Sequence, residues 1–217
     1  MKYRLFAVAA AMAAICGQFA AFAQKTYNVR DIYDKGGDKG IVVNISPSGE
    51  LLIMSLKGAD LKWAKSPSAP EEAGLTVEGL GKGSGSANTV AITAAGDASV
   101  FPAAWFCKDY GDGWFLPNRK ELKNALKDCS IADNSSFSSF VGKITAAGGD
   151  TIKGNKGVEA KDITEARFWL SELSNDKEGT PTIGRYVYFS ETKAIWNNSA
   201  QKVSAVRHVR CMKRVSL

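Results

Sequence analysis

The chain contains a single histidine, His208, which limits the imidazole chemistry open to it. A metal site built from several histidines is excluded, and a serine-histidine-aspartate triad would have to use this one residue. His208 lies between Arg207 and Val209, and a neighbouring cation disfavours the protonated imidazole. The sequence therefore predicts a structural or surface histidine and no metal site.

Acidic side chains could supply the paired carboxyl groups that glycoside hydrolysis needs. The carboxylates considered for this role are Asp109, Asp112, Glu172, Asp176, Glu178 and Glu191. The sequence gives no separation between any two of them and no indication of a raised pKa. Glycan hydrolysis is therefore kept only as an alternative function.

The sequence predicts two helices in the middle of the chain. Apolar residues recur at i, i+3, i+4 and i+7 over Val100–Cys107 and again over Leu122–Cys129. Between them Gly113–Pro117 predicts a short strand, which the proline ends because it has no N–H to donate. Asn118 and Glu121 have the spacing of a capping box, so the second helix should begin at Asn118.

Strands are predicted on both sides of these helices. Two apolar runs, Ile41–Ile45 and Leu51–Leu56, flank a Pro-Gly turn and predict a hairpin that is buried on both faces. Strand character returns at Phe168–Ser171, Tyr186–Phe189 and Val203–Val215. This order predicts an α+β domain in which the terminal strands pair.

The remaining segments predict two further helices and a long loop. A short helix is expected over Asn88–Ala95, and apolar spacing from Phe137 to Ile144 predicts another. The Pro- and Gly-rich segment Lys57–Gly85 is predicted to be loop. Within it Gly81–Gly85 lacks the preceding strand and the Lys-Ser/Thr spacing of a P-loop, which favours a surface loop over a phosphate cradle.

The first 23 residues have the pattern of a cleaved secretory signal. A basic start precedes the apolar run Leu5–Ala14, and Ala21–Ala23 has the small-x-small form that signal peptidase accepts. A membrane anchor is the alternative, although Gly17 and Gln18 interrupt the run before it reaches the length of a span. We expect an exported protein with no transmembrane span, located in the periplasm, on the outer surface or outside the cell.

Removal of that signal would leave about 194 residues, enough for one domain with a sizeable core. We expect an N-terminal arm at residues 24–39 and a single domain at 40–217. Loss of Lys2 and Arg4 lowers the formal net charge from +6 to +4. Because the remaining basic residues are scattered, the sequence predicts no nucleic-acid partner.

Five short elements, in this order, resemble the C-type-lectin-like domains of secreted bacterial proteins. They are Ala104-x-x-Cys107, Gly113–Pro117, Glu121-Leu122, Trp169-x-Ser171 and Val209–Cys211. The nearest types are the C-terminal domain of the collagen-like adhesin of Legionella and the major paralogous domain of Fibrobacter, and similar domains are common in Bacteroidetes. The chain departs from the family at Phe115, where an arginine is usual, and in the loop Lys153–Lys161.

The resemblance implies a C-type-lectin-like fold with paired N- and C-terminal strands. Two to three helices would pack beside them, and a long-loop region with a second small sheet would carry any ligand. The family also implies a disulfide between Cys107 and Cys211, which suits an exported chain. The alternative is three buried free thiols. Cys129, on an apolar helix face, is expected to be unpaired and unreactive.

The same resemblance places a set of candidate ligand-binding residues on or near the loop sheet, namely Trp169, Glu172, Asn175, Asp176, Tyr186 and Trp196. Aromatic rings beside amides and carboxylates suit a sugar or a peptide. A core position is the alternative for Trp169 and for Trp196. Because Trp196-Asn197-Asn198 lacks the carboxylate of the similar calcium-lectin motif, no calcium site and no cofactor are expected.

Together these features predict a secreted or cell-surface binding module without catalytic activity. The expected partner is a carbohydrate or a surface protein. Two other classes remain as alternatives: an envelope glycan hydrolase that uses loop carboxylates, and a structural subunit associated with fimbriae. The sequence does not determine the ligand or the oligomeric state.

Overall fold

A computed structural model describes residues 26–127, 134–152, 165–190 and 199–217. Over these ranges the chain forms a mixed α+β fold with seven strands and six helices, so the predicted α+β class is confirmed. The predicted signal segment, Cys129 and Trp196 lie outside the described residues. Within the described ranges, no helix combines the length and apolar character needed to cross a membrane.

The seven strands form one sheet in the order β1-β2-β3-β7-β4-β5-β6. Their bounds are β1 Ile32–Lys35, β2 Asp38–Ile45, β3 Leu51–Lys62, β4 Glu165–Ser174, β5 Ile183–Ser190, β6 Ser199–Lys202 and β7 Val206–Val215. Neighbouring strands are antiparallel except β4 and β7, which meet in parallel at Phe168 and His208. The last strand of the chain therefore lies near the centre of the sheet.

This topology corrects two expectations about the strands. The first strand, β1, lies at an edge, and the C-terminal strand pairs instead with the third strand, β3. Strands β4, β5 and β6, expected as a separate small sheet, extend the same sheet through the contact of β4 with β7. The longer β3 is the better partner for β7 because the four residues of β1 offer too few ladder positions.

Six helices accompany the sheet in the described ranges, where the resemblance implied two to three. They are α1 Ala69–Glu72, α2 Val77–Gly81, α3 Gly85–Ala95, α4 Pro102–Asp109, α5 Arg119–Leu126 and α6 Asn134–Ala146. The predicted helices correspond to α3, α4, α5 and α6. Helices α1 and α2, and the last part of β3, replace much of the loop predicted over Lys57–Gly85. They were missed because four or five residues are too few to show a helical period.

The predicted strand at Gly113–Pro117 is also wrong in extent. Only Phe115 pairs, through two backbone hydrogen bonds of 2.8 and 2.9 Å with Met212 of β7. The glycines before it adopt positive φ angles and Pro117 has no N–H, so the ladder cannot extend in either direction.

The hairpin of β2 and β3 is confirmed, and both of its faces are buried. Val42, Leu51 and Ile53 pack in a core with α1 to α4, whereas Ile41 and Met54 pack in a second core with α5 and α6. Successive strand residues point to opposite faces, so a continuous apolar run supplies both cores. The sheet is therefore the middle layer of the fold.

A buried arginine stabilises an irregularity at the centre of the sheet. Between Met54 and Gly58, β3 holds two more residues than the facing part of β7. The guanidinium of Arg210 donates to the carbonyls of Ser55 and Leu56 in this bulge, at 3.2 and 2.5 Å, and to the carbonyl of Asp150 at 2.5 Å. Burial lowers the pKa of Arg210 to about 10, and the group stays charged at neutral pH. These bonds satisfy carbonyls that the bulge takes out of the ladder.

His208 belongs to the same network and is a structural histidine. Arg210 Nε donates to His208 Nε2 at 3.0 Å, and His208 Nδ1 lies 2.9 Å from Asp60 Oδ1. Because the guanidinium can only donate, Nε2 must accept, and Nδ1 carries the proton that Asp60 binds. Burial lowers the pKa of His208 against the opposing effect of Asp60. Neither ring nitrogen is left for proton transfer.

The expected disulfide between Cys107 in α4 and Cys211 in β7 is present. The Cα atoms are 5.2 Å apart, and both residues are fully buried. The bond joins positions separated by 104 residues, so it closes a loop that holds α5, α6 and the strands β4, β5 and β6. It ties β7, at the centre of the sheet, to α4.

Replacing both cysteines with alanine, Cys107→Ala/Cys211→Ala, should lower the free energy of unfolding by about 4–5 kcal/mol, because the unfolded chain regains the freedom of a long loop. Urea unfolding monitored by tryptophan fluorescence measures the loss. The wild type unfolded in reductant is the control and should match the variant. Peptide mapping of unreduced protein should recover the two cysteine peptides linked; finding them separate would contradict the assignment.

Candidate functional site

Trp169, the first of the predicted ligand residues, lies in β4 with no exposed surface. Its indole N–H donates to the carbonyl of Leu61 at 2.9 Å, while the indole of Trp63 donates to the carbonyl of Leu170 at 2.8 Å. These two bonds link β3 to β4 across the start of β7. The placement corresponds to the core alternative for Trp169.

Tyr186 and Glu172 lie on the same part of the sheet but in different surroundings. Tyr186 packs edge-on against Trp169, and the guanidinium groups of Arg167 and Arg207 lie 5.5 and 5.6 Å from the centre of its ring. Glu172 is half-buried, and within the described part of the chain its Oε2 has no hydrogen-bond partner. Burial raises the pKa of Glu172 against the opposing effect of the Arg119 N–H.

Asp176 organises the connection between β4 and β5. Its Oδ1 accepts from the N–H groups of Glu178 and Thr180 at 3.1 and 2.8 Å, and its Oδ2 accepts from the hydroxyl of Thr182 at 2.7 Å. These bonds lower the pKa of Asp176. Its carboxylate is thus committed to the turn, whereas Asn175 beside it is exposed.

A polar cavity of about 420 Å³ opens where the N-termini of α3 and α5 meet the adjacent ends of β2, β3 and β7. Its lining combines three cations, three amides, a hydroxyl and one carboxylate, together with Leu52 and Gly83. The polar residues are Asn44, Lys82, Ser84, Asn118, Lys120, Glu121, Asn124 and Arg214. The volume falls in the range of about 300–1,000 Å³ that is typical of small-molecule sites.

The predicted capping box forms one wall of this cavity. Asn118 Oδ1 accepts from the Glu121 N–H at 2.9 Å, and Glu121 Oε2 accepts in return from the Asn118 N–H at 2.9 Å. The same Oε2 also accepts from the N–H of Gly85, the first residue of α3, at 3.1 Å. One carboxylate therefore caps two helices and fixes their N-termini beside each other.

The close approach of the two helices depends on Gly85. A Cβ at this position would lie 2.4 Å from Glu121 Oε2 and 2.6 Å from the carbonyl oxygen of Leu116. Thr89, one turn further along α3, accepts from the N–H of Leu116 at 2.9 Å. The wall between the helices is thus rigid and closely packed.

The cations of the cavity differ in how firmly they are held. Arg214 donates to the buried carboxylate of Glu121 at 3.0 Å and pairs with half-exposed Glu50 at 3.4 Å. Lys82 pairs with Glu78, and both side chains are almost fully solvated. Lys120 is exposed and has no ion pair among the described residues. Solvated pairs contribute little, so Lys82 and Lys120 are free to contact a ligand.

A second opening, of about 350 Å³, lies along the side of α3. Val90 of α3 is 66% exposed at its rim, and Trp114 and Phe115 form its floor. The indole N–H of Trp114 is already bound to Asp38 at 3.1 Å. This opening is mainly apolar and offers fewer directed polar groups than the cavity at the helix N-termini.

The described residues contain no group of three or more histidine, cysteine, aspartate or glutamate side chains arranged to hold a metal ion. The carboxylates closest to the cavity and the loop sheet, Glu121 and Asp176, have both oxygens occupied by protein donors. Glu172 is the exception, with a raised pKa and one oxygen without a partner in the described ranges.

Sequence reasoning found only one part of the cavity, the capping box of Asn118 and Glu121. The other polar groups come from β2, the α2-α3 connection, the outer face of α5 and β7, so no local spacing relates them. The segment Gly81–Gly85 was expected to be a surface loop, and its Lys82 and Ser84 do face solvent. One signal was available, since Ser84 has the position of an N-cap for α3.

The chain matches no known protein-family model, and no curated protein or solved structure is significantly similar to it.

Substituting Gly85→Ala should lower the free energy of unfolding by about 1–3 kcal/mol, because the methyl group overpacks against Glu121 and Leu116. Gly81→Ala is the matched control, since no atom lies within 4 Å of the place that its methyl group would take. That control should be unchanged or more stable by under about 1 kcal/mol. Urea unfolding measures both, and equal stabilities would contradict the proposed close approach.

Glu172→Gln should raise the melting temperature at about pH 7.5 and have little effect at about pH 4. The raised pKa means that the folded protein binds a proton more tightly than the unfolded chain. Stability therefore falls as pH rises from the ordinary carboxyl pKa through the raised value, and glutamine removes that loss. Asp176→Asn is the control and should lower the melting temperature at about pH 7.5. A carboxyl group whose pKa is lowered by folding stabilises the fold at pH values above its ordinary pKa. A Glu172→Gln effect that does not change with pH would contradict this assignment.

Proposed function

We propose that this protein is an exported, non-catalytic binding module of the C-type-lectin-like type. Its ligand would be a saccharide or a polar group of a surface protein, held in the cavity at the N-termini of α3 and α5. The basic and apolar start of the chain and the buried Cys107–Cys211 bond support export, since such bonds persist in oxidising compartments. The bond between α4 and the final strand also supports the proposed fold type.

The observation that carries the proposal is the composition of the polar cavity. Amides both donate and accept, and ammonium groups donate, so together they match ligand hydroxyl groups, which also do both. These side chains are mounted on helices and strands whose mutual positions are fixed by Glu121 and Arg214. Fixed elements around an open volume favour specific binding because the backbone does not have to rearrange when a ligand enters.

The absence of catalysis is part of the same proposal. His208 has both ring nitrogens bound, and Asp176 and Glu121 accept protein hydrogen bonds on both oxygens. General acid–base catalysis requires a group that can exchange a proton with a substrate. These three residues are better suited to hold the structure together.

One observation favours a second candidate, an envelope glycan hydrolase. Glu172 has the raised pKa expected of a general acid, and its Oε2 has no partner in the described ranges. A hydrolase would need a second carboxylate at a suitable separation. A third candidate, a structural fimbria-associated subunit, would show partners in crosslinking and no soluble ligand.

The test uses purified protein lacking the first 23 residues on an array of neutral and acidic glycans. Binding should be retained in Lys123→Ala and weakened about fivefold in Asn124→Ala, because only Asn124 lines the cavity and its amide contributes a hydrogen bond. Both residues are exposed neighbours on α5, so the pair is matched.

A hydrolase screen on the same material separates the first two candidates. Turnover that Glu172→Gln or Asp176→Asn abolishes would replace the binding proposal with the enzyme. Binding that depends on Asn175 and not on Asn124 would move the site to the connection between β4 and β5. An array without any signal, combined with specific crosslinks to an envelope subunit, would favour the structural role.

A further inference from the structure

We infer that the polar cavity selects an acidic saccharide, one that carries a carboxylate or a sulfate group. This inference rests on the proposed binding function and specifies its ligand class. The cavity is lined by Lys82, Lys120 and Arg214, against the single carboxylate of Glu121. A ligand entering it meets an excess of positive charge, which favours an anionic group.

The one carboxylate of the lining does not cancel that excess at the ligand's position. Glu121 is only 6% exposed, and its two oxygens accept from Arg214 and from the N–H groups of Gly85 and Asn118. Its negative charge is therefore compensated by hydrogen-bond donors of the protein itself. The partners of Lys82 and Arg214, Glu78 and Glu50, lie outside the lining and pair in solvent, where a ligand anion can take their place.

The remaining groups favour a saccharide over a simple anion. Asn44 and Asn124 line the cavity from β2 and α5, and Ser84 adds an exposed hydroxyl. A small inorganic anion would leave much of the 420 Å³ volume unfilled. A sugar ring can present hydroxyls to the amides while its acidic group meets Lys82 and Lys120, using both kinds of lining at once.

The test compares glucuronate with glucose, which differ only in the carboxylate at C6, by chemical-shift titration of the isotopically labelled protein. Glucuronate should bind at least about tenfold more tightly than glucose, as expected for a charge-assisted contact. The shifts should include the amides of Gly83 and Ser84, and affinity should fall as salt is added, because exposed charges are screened.

The double variant Lys82→Gln/Lys120→Gln should remove most of the preference for glucuronate over glucose and weaken the salt dependence, since Arg214 is then the one cation left among the described residues of the lining. Lys123→Gln is the matched control, an exposed lysine on α5 that does not line the cavity, and should behave as the wild type. Both substitutions replace solvated side chains, so the fold should be preserved, which an unchanged amide spectrum would verify.

Four outcomes would overturn the inference. The first two are equal affinity for glucuronate and glucose, and no detectable binding of glucuronate. The other two are inorganic sulfate that binds as tightly as glucuronate, and an acidic glutamate peptide that binds more tightly than glucuronate and sulfate. If neutral glycans bind on the array and glucuronate and glucose bind with equal affinity, the acidic preference is wrong and the proposed binding function is retained. An array without ligands would remove the proposed function itself.

Discussion

The fold depends on the position of the C-terminal strand at the centre of the sheet. Strand β7 pairs with β3 on one side and β4 on the other, and it carries both Cys211 and Arg210. Cys211 ties the strand to α4, while Arg210 supplies the donors that a bulge in β3 and the segment before residue 152 require. A long loop between distant pairing partners is costly in entropy, and here a covalent bond and a charged hydrogen-bond network both oppose that cost.

The buried polar groups of the network are mutually dependent. Arg210 donates to His208, which fixes the imidazole tautomer that Asp60 binds, and Gly58 leaves the space that both side chains occupy. Leaving one of these polar groups without a partner in the low-dielectric interior would cost free energy. The network therefore specifies one arrangement of β3 and β7. The register of β3 against β7 beyond the bulge follows from it.

The candidate site forms because the N-termini of α3 and α5 lie beside each other. Glu121 caps α5 and α3 together and also binds Arg214 of β7, so the cavity wall is connected to the central strand. The basic and amide side chains around it extend into solvent from this fixed wall. A fixed wall with a polar rim is an arrangement suited to recognition, because the elements that carry the contacting groups are already positioned.

The sequence alone determined the features that depend on local spacing: the apolar faces of α4, α5 and α6, the capping box at Asn118 and the hairpin of β2 and β3. It also carried, through a resemblance, the pairing of Cys107 with Cys211. Tertiary structure decided the rest. Whether Trp169 is core, where β7 pairs, and that Asn44, Lys82, Asn124 and Arg214 surround one cavity all depend on contacts between segments far apart in the chain. Local periodicity records which face of an element is buried, but it contains no information on which distant element covers that face.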